Sequence, residues 1–283
     1  MINSERKHQM NEKFYSLSPE KFIKNARMPV RVMESEAAMY EEIAEIMAST
    51  IERKKGEKCV IICPVGPIGQ YPIFAEKVNS RRISLKNCWF INMDEYLTDE
   101  DETIPYESPL SFHATMDRVL YNLIDEELLM PESRRLFPEP GAEAEIDELL
   151  DSFDKVDLCL TGVGINGHIA FNEPPEKDDP VTDEEYENIG TRCMNIARET
   201  ITNNGSRKIC GALDIFPKRC ITLGMRQLLK AETFKVYLYC DWQWGIMRKG
   251  ALSTPTKEAP VTFLQNHKNA EMVITEALYN FML

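Results

Sequence analysis

The sequence predicts an α/β protein with a doubly wound, mainly parallel sheet and helices on both faces. Short apolar runs rich in β-branched residues recur along the chain, which is typical of strands buried on both faces. Helical stretches fall between several of these runs, and this alternation is that of a Rossmann-like sheet. No internal repeat or low-complexity linker is visible in the 283 residues. We therefore expect a single α/β domain over residues 35–283, preceded by an N-terminal extension of residues 1–34.

The individual elements follow from local patterns. Residues 37–54 place apolar side chains at helical spacing between acids and bases, which predicts an amphipathic helix. Two later stretches, HATMDRVLYNLIDEELL and AEAEIDELLDSF, also predict helices, whereas FNEPPEKDDPVTDEEYENIG predicts a long surface loop or lid. Five apolar runs predict strands: KCVIICPVG, NCWFINM (87–93), VDLCLTGVG (156–164), RCITLGM (219–225) and FKVYLYC (234–240).

Composition excludes several classes of partner. The formal net charge of -13 disfavours binding to nucleic acid or to an anionic membrane surface. The chain has no apolar run long enough to span a bilayer and no secretory signal, so we expect a cytoplasmic protein. Its eight cysteines include no CxxC pair, and Cys63, Cys159 and Cys240 lie in or beside apolar runs. This pattern favours buried free thiols over disulfides.

Three loops are expected at one edge of the sheet, because each directly follows a predicted strand. They read PVGPIGQYP, DEYL and GINGHIAFNEP. Ligands of open α/β sheets bind outside the carboxyl ends of the strands, where such loops and helix amino ends converge. These loops therefore hold the candidate functional residues.

His168 and Glu173 form a candidate acid/base pair. His168 is the one histidine of four in a glycine-flanked loop directly after a buried strand, and Glu173 follows five residues later. A histidine held by a carboxylate keeps one tautomer and suits proton transfer to or from a sugar oxygen. The alternative is structural: a loop-capping histidine and a helix-capping glutamate.

Two acids follow the strand NCWFINM, at a point where an acidic side chain points into the crevice. Asp94 is a candidate general base, and Glu95 is assigned to substrate binding. The alternative is that Asp94 caps a helix in the following loop, which is a common use of aspartate.

The loop PVGPIGQYP offers backbone amides before the helical run IFAEKV and could hold an anion or sugar hydroxyls. We assign Gly66, Ile68, Gly69 and Gln70 to substrate binding. The loop matches neither a Walker loop nor the dinucleotide GxGxxG pattern, and a plain tight turn explains its composition equally well. Histidine and cysteine spacing gives no metal-ligand set. We therefore expect neither a cofactor nor a metal.

Several separated blocks resemble the glucosamine-6-phosphate deaminase family, also called the glucosamine-6-phosphate isomerases. They are INMDEYL, ESPLSFHATM, LTGVGINGHIAFNEP and ITLGMRQLLKAE, in family order over roughly residues 35–280. The resemblance implies conversion of an aminosugar phosphate to fructose 6-phosphate and ammonia. It implies that Asp94 moves the proton from C2 to C1 of the ring-opened sugar, while His168 assists ring opening. Glu173 would orient His168, with Asn166 completing the relay.

The substrate-binding blocks depart from the family pattern. The family's phosphate loop reads close to PTGGTP, whereas PVGPIGQYP is longer and has no small hydroxyl residue. Gln243 or Trp244 stands where the family has a lysine, while Arg207 or Lys208 supplies the other basic contact; we assign Arg207 to substrate binding. The identity of the sugar, and whether it is phosphorylated, stay open.

Two other functions stay open beside an aminosugar isomerase. A 6-phosphogluconolactonase-like hydrolase shares the glycine-rich GH loop but needs no acid at Asp94 for C2 chemistry. A sugar-binding sensor without turnover is the third reading, suggested by the altered phosphate loop. Trp242 and Trp244 could stack on a sugar ring or belong to the core. The resemblance also implies a homo-oligomer.

Overall fold

The main sheet has seven parallel strands and confirms the predicted fold class. A computed structural model describes residues 13–282. The strands lie in the order β1-β10-β9-β6-β2-β3-β5. Their bounds are β1 (Val30–Met33), β2 (Cys59–Cys63), β3 (Cys88–Asn92), β5 (Arg135–Leu136), β6 (Val156–Thr161), β9 (Ala231–Leu238) and β10 (Ala270–Thr275).

The central strand β2 explains the two-sided core. Its side chains alternate, so that Val60 and Ile62 join the apolar cluster on one face while Cys59, Ile61 and Cys63 join the cluster on the other. All five residues are buried. The short, continuous apolar run therefore indicated this strand correctly, because a strand buried on both faces has no polar side.

Helices cover both faces of the sheet. They are α1 (Pro19–Asn25), α2 (Glu36–Arg53), α3 (Gln70–Arg81), α4 (Phe112–Val119), α5 (Glu143–Ser152), α6 (Asp183–Glu187), α7 (Arg198–Lys208), α8 (Met225–Leu228), α9 (Trp244–Leu252) and α10 (Glu276–Asn280). Short 3-10 turns cover Tyr121–Leu123, Glu132–Arg134, Asp241–Gln243 and Pro260–Asn266.

The predicted helices hold with two differences. The helix expected over 37–54 begins at Glu36, where the Ser35 hydroxyl accepts the amide of Ala38. The helix expected from His113 to residue 129 ends at Val119, because Leu120 leaves helical geometry with φ -134° and is fully buried. The stretch predicted as a surface loop after Phe171 contains α6, which begins with a Thr182/Glu185 capping box.

A second, three-stranded antiparallel sheet lies beside the main one. It has the order β4 (Asp94–Leu97), β8 (Arg219–Thr222) and β7 (Arg192–Asn195). The run RCITLGM therefore forms an antiparallel strand, and its expected place in the parallel sheet is wrong. An apolar run signals burial, and β8 obtains that burial beside an aromatic cluster that includes Tyr96 and Phe216. Pairing with β8 fixes the backbone of Asp94, which faces Thr222.

The segment before residue 35 contributes to the fold. β1 is an edge strand of the main sheet and pairs with β10. Phe22 of α1 is fully buried in the core. Arg31 joins Glu42 at 2.5 Å and Glu271 at 3.1 Å, linking β1 to α2 and β10. The segment assigned to an N-terminal extension thus supplies a strand and core residues, a feature that its sequence did not indicate.

The strand order reverses between β2 and β6, and this point positions the site. From β2 the chain continues to β3 and β5 on one side, whereas β6 lies on the other side of β2. The loops after β2 and β6 therefore diverge and leave a crevice at the carboxyl edge. Within residues 13–282, no helix is long and apolar enough to cross a bilayer. All eight cysteines are free, with Cys63 and Cys159 buried and Cys240 partly buried.

Candidate active site

A cavity of about 230 Å³ lies at this crevice. The loops after β2 and β6, the start of β4, the end of α7 and the turn after β9 form its walls. The lining includes residues from all three loops that the sequence analysis placed at one sheet edge: Gly66, Asp94, Gly164 and His168. The topology therefore brings together side chains that are far apart in sequence.

The His168 ring is held from behind by three side chains. Its Nδ1 lies 2.9 Å from Asn166 Oδ1, 3.0 Å from Glu173 Oε2 and 3.3 Å from Thr200 Oγ1. The amide oxygen of Asn166 and the carboxylate of Glu173 can only accept, so we assign the proton to Nδ1 and leave the lone pair on Nε2. Asn166 Nδ2 also donates to the same Glu173 oxygen at 2.6 Å. The three residues of the expected relay are thus in mutual contact.

A glycine makes room for this ring. A Cβ atom added to Gly164 would lie 2.0 Å from both Cε1 and Nε2 of His168. The Nε2 edge of the ring therefore lies against Gly164, which itself lines the cavity. This contact explains why the loop needs a glycine here, at a position whose backbone any residue could adopt.

Glu173 is a charged anchor for His168 although it is only 3% exposed. Burial alone would raise the pKa of Glu173, but the charge of His168, followed by hydrogen bonds from the surrounding side chains, brings it below its usual range. Its second oxygen, Oε1, has no hydrogen-bond partner among residues 13–282. An ionised Glu173 fixes the orientation of the His168 ring.

Asp94 is a carboxylate in an apolar wall of the cavity. It is 6% exposed and accepts no hydrogen bond from the described residues. Burial, followed by the negative charge of Glu95, raises the pKa of Asp94 to about 7, while Lys208 and His168 act in the opposite direction. A carboxylate without hydrogen-bond donors is a stronger base than an ordinary aspartate, and this one is available to a ligand in the cavity.

Two cations from the end of α7 line the cavity, Arg207 and Lys208. The Arg207 guanidinium lies 5.4 Å from the centre of the Trp242 ring. The Lys208 ammonium lies 4.6 Å from the centre of the Phe112 ring. The sequence predicted a substrate contact at Arg207. Lys208 was named only as the alternative to Arg207, because no sequence motif distinguishes it.

Four residues assigned to substrate binding lie outside the cavity lining. Ile68 is exposed, and the fully buried Gln70 turns its amide to the Pro67 carbonyl at 2.8 Å. Gly69 packs against Tyr40, where an added Cβ would meet the ring at 2.4 Å. Only Gly66 of the assigned loop residues lines the cavity. The assignments of Ile68, Gly69 and Gln70 to substrate binding stay predictions, and the contacts described here for Gly69 and Gln70 are structural.

Glu95 is the fourth of these residues. Its carboxylate accepts the backbone amides of Phe112 at 2.9 Å and His113 at 2.9 Å, at the amino end of α4. It also accepts the amide of Tyr96. All of these donors belong to the backbone, so Glu95 stabilises the amino end of α4, and its assignment to substrate binding stays a prediction. The capping function that the sequence analysis considered for Asp94 belongs to its neighbour.

Of the two tryptophans after β9, one lines the cavity and the other belongs to the core. Trp242 lines the cavity. Trp244 is buried, and its Nε1 donates to the Phe281 carbonyl at 2.9 Å. Gln243 binds backbone only: its Oε1 accepts the amides of Tyr239 and Cys240. The position where the family has a lysine thus carries no cation: Trp244 is buried, and Gln243 lines the cavity while its amide is bonded to backbone.

No protein-family model matches the chain. Individual proteins do match it in sequence. A glucosamine-6-phosphate deaminase of Mycoplasma mycoides is 27% identical over 255 residues, covering 87% of this chain and 94% of that protein. One from Clostridium perfringens is 25% identical over 251 residues, covering 84% of this chain and 94% of that protein.

Solved structures share the fold. A monomeric glucosamine-6-phosphate deaminase of the NagB superfamily superposes with a TM-score of 0.76 at 23% identity, covering 89% of this chain and 98% of that one. A 6-phosphogluconolactonase from Thermotoga maritima superposes with a TM-score of 0.61 at 15% identity, covering 88% of this chain and 99% of that one. The homo-oligomer implied by the resemblance stays a prediction. The chain is therefore similar in sequence, over most of its length, to glucosamine-6-phosphate deaminases, and it shares the fold of the solved deaminase and lactonase structures.

Proposed function

We propose that the protein is a deaminating aldose-ketose isomerase that converts glucosamine 6-phosphate, or a close relative of it, to the ketose phosphate and ammonia. The observation that carries this proposal is that Asp94 and His168 line the same cavity. Asp94 is a carboxylate that accepts no hydrogen bond from residues 13–282, and His168 is an imidazole oriented by Asn166 and Glu173. Enolisation of a ring-closed sugar needs both functions.

Ring opening is the step assigned to His168. The ring oxygen must gain a proton while the C1 hydroxyl loses one. The imidazole can move that proton through Nε2, because Nδ1 is engaged by Asn166 and Glu173. Glu173 stabilises the imidazolium that forms when Nε2 carries the proton. The relay therefore supports an acyclic aldehyde in the cavity.

Proton transfer between carbons is the step assigned to Asp94. The carboxylate takes the proton from C2 of the aldehyde and returns it to C1, which converts the enolamine to an imine at C2. Water then adds to C2, and ammonia leaves as the ketone forms. The burial that raises the pKa of Asp94 also makes it basic enough to accept a carbon-bound proton.

The anionic end of the substrate is assigned to Arg207. Pro64, Val65, Gly66 and Pro67 of the expected phosphate loop line the cavity, and the two prolines have no backbone N–H, so the loop offers at most two backbone donors there. Arg207 lies on the Trp242 wall of the cavity. A guanidinium binds a phosphate through charge-assisted hydrogen bonds, which supports a phosphorylated substrate in a protein with a net charge of -13.

The test is incubation of the purified protein with millimolar glucosamine 6-phosphate while ammonia and fructose 6-phosphate are measured. We expect stoichiometric formation of both products, and loss of activity in Asp94→Asn. Asp154→Asn, at an exposed aspartate, is the matched control and should retain activity. Absence of turnover by the wild type would refute the proposal. Hydrolysis of 6-phosphogluconolactone with full activity in Asp94→Asn would favour the lactonase reading.

A further inference from the structure

Lys208 occupies a position that the proposed reaction has not yet used. It is the last residue of α7, and its accessible side chain reaches into the cavity. Its ammonium lies 4.6 Å from the Phe112 ring centre and 5.4 Å from the Tyr96 ring centre. Both aromatic residues belong to the cluster beside β4, the strand that begins with Asp94. Lys208 therefore lies on the Asp94 side of the cavity.

Arg207 and Lys208 serve different parts of the cavity although they are adjacent in sequence. Successive residues of a helix point about 100° apart, so the two side chains diverge. Arg207 lies over Trp242, with Nη2 3.4 Å from Cys240 Sγ. The positive charge of Lys208 lowers the pKa of Asp94, and its ammonium lies over Phe112 rather than over Trp242. Lys208 therefore lies at the Asp94 end of the cavity, and Arg207 lies at the Trp242 end.

The donors of Lys208 are available to a ligand. The ammonium forms no hydrogen bond with the described residues and no ion pair within 4.0 Å. Desolvation of the ammonium group inside the cavity lowers the pKa of Lys208 to about 8, while the charges of Asp94 and Glu95 raise it, so Lys208 is mainly a cation at neutral pH. Aromatic faces attract the charge but accept its N–H groups poorly. A charged donor and the unbonded carboxylate of Asp94 therefore share one wall and are separated by more than an ion-pair distance.

We propose that Lys208 binds the substrate oxygen on which negative charge develops while Asp94 removes the C2 proton. This inference rests on the proposed function. When the C2–H bond breaks, its proton goes to Asp94 and its electron pair forms the C1–C2 double bond. The carbonyl electrons of C1 move onto O1, which becomes an enolate oxygen. A positioned cation stabilises that oxygen more strongly than it stabilises the neutral aldehyde.

Kinetics of Lys208→Met and Arg207→Met separate the two cations. We expect Lys208→Met to lower kcat roughly 100-fold to 1,000-fold with KM within about threefold of the wild type. Arg207→Met should mainly raise KM, because a distal anion is bound equally in the ground and transition states. A raised KM with an intact kcat in Lys208→Met would overturn the inference.

Calorimetry with two unreactive ligands tests Lys208 without turnover. Arabinonate 5-phosphate carries a carboxylate near the enolate position, and arabinitol 5-phosphate carries a neutral alcohol there. In Lys208→Met, the arabinonate should bind at least about tenfold more weakly and the arabinitol within about twofold. Arg207→Met should weaken both. The unchanged binding of the arabinitol phosphate also shows that Lys208→Met is folded.

The outcomes distinguish this inference from the proposed function. If the wild type releases no ammonia but shows the expected ligand pattern, the proposed deamination fails, whereas the contact of Lys208 with a negatively charged oxygen at the reacting end stands. If Lys208→Met weakens both ligands equally, Lys208 binds the phosphate and the assignment fails. If the wild type binds the two ligands equally or binds neither, the assignment also fails.

Discussion

At the scale of single residues, the position of the His168 ring depends on Gly164, because glycine has no Cβ atom to occupy the space of the ring. We expect Gly164→Ala to lower kcat roughly 100-fold or more, because a Cβ atom 2.0 Å from Nε2 would displace the general acid. The matched control is Gly245→Ala in α9, where the added Cβ would lie 3.9 Å from Tyr15. Steady-state kinetics and thermal melts check both variants. Equal activity in the two variants would show that the ring position is not critical.

The raised pKa of Asp94 predicts where enzyme activity falls on the acid side of its pH profile. A general base works only when ionised, and burial raises the pKa of Asp94 to about 7. Activity is therefore present above about pH 7 and falls about tenfold per pH unit below it. Measurement of kcat/KM between about pH 5 and pH 9 checks this, with circular dichroism to show that the protein stays folded. An acid limb near the ordinary aspartate value would contradict a buried base.

At the scale of elements, Glu95 connects a helix end to the reactivity of Asp94. Its negative charge contributes to the raised pKa of Asp94, so Glu95→Gln should move the acid limb to lower pH. The same change puts an amide donor beside the backbone donors of α4 and should cost about 1–3 kcal/mol of unfolding free energy. Urea denaturation and the pH profile measure the two effects.

Glu276→Gln is the matched control for Glu95→Gln. Glu276 also lies in the first turn of a helix, α10, but it is exposed. Its replacement should change stability by less than about 0.5 kcal/mol and leave the acid limb in place. A Glu95→Gln variant that raises KM without moving the limb would return Glu95 to the substrate-binding residues.

Loop geometry is the part of the site that the sequence predicted least well. The order of residues placed Asp94, His168 and Glu173 after buried strands, and the structure brings them to one crevice. The sequence does not reveal which way a loop residue turns. Gln70 faces the Pro67 carbonyl, and Lys208 enters the cavity only because α7 ends there. Such directions depend on contacts between distant segments.

At the scale of the whole molecule, the parallel sheet was predictable because its strands are buried on both faces. The run RCITLGM gave the same apolar signal, yet β8 pairs antiparallel in the second sheet. Strand β1 gave little signal, since its four residues are only partly buried. Periodicity therefore reports how much of an element is buried, while pairing and sheet membership depend on the rest of the chain.

The segment before residue 35 gives a prediction about the integrity of the whole fold. Phe22 is fully buried in the main core, and the Arg248 guanidinium lies 5.2 Å from its ring centre. We expect Phe22→Ala to lower the free energy of unfolding by about 3–5 kcal/mol, as a cavity in a domain core does. Phe281→Ala, at a phenylalanine that is 41% exposed, should cost less than about 1.5 kcal/mol.

Urea denaturation followed by fluorescence and by activity measures both phenylalanine variants. A single transition that shifts equally in both signals for Phe22→Ala would show that this segment and the active site unfold together. That result is expected because β1 pairs with β10, and β10 pairs with β9, which leads into the turn carrying Trp242. An unchanged transition would instead show that residues before 35 are an appended segment, with the domain beginning at α2.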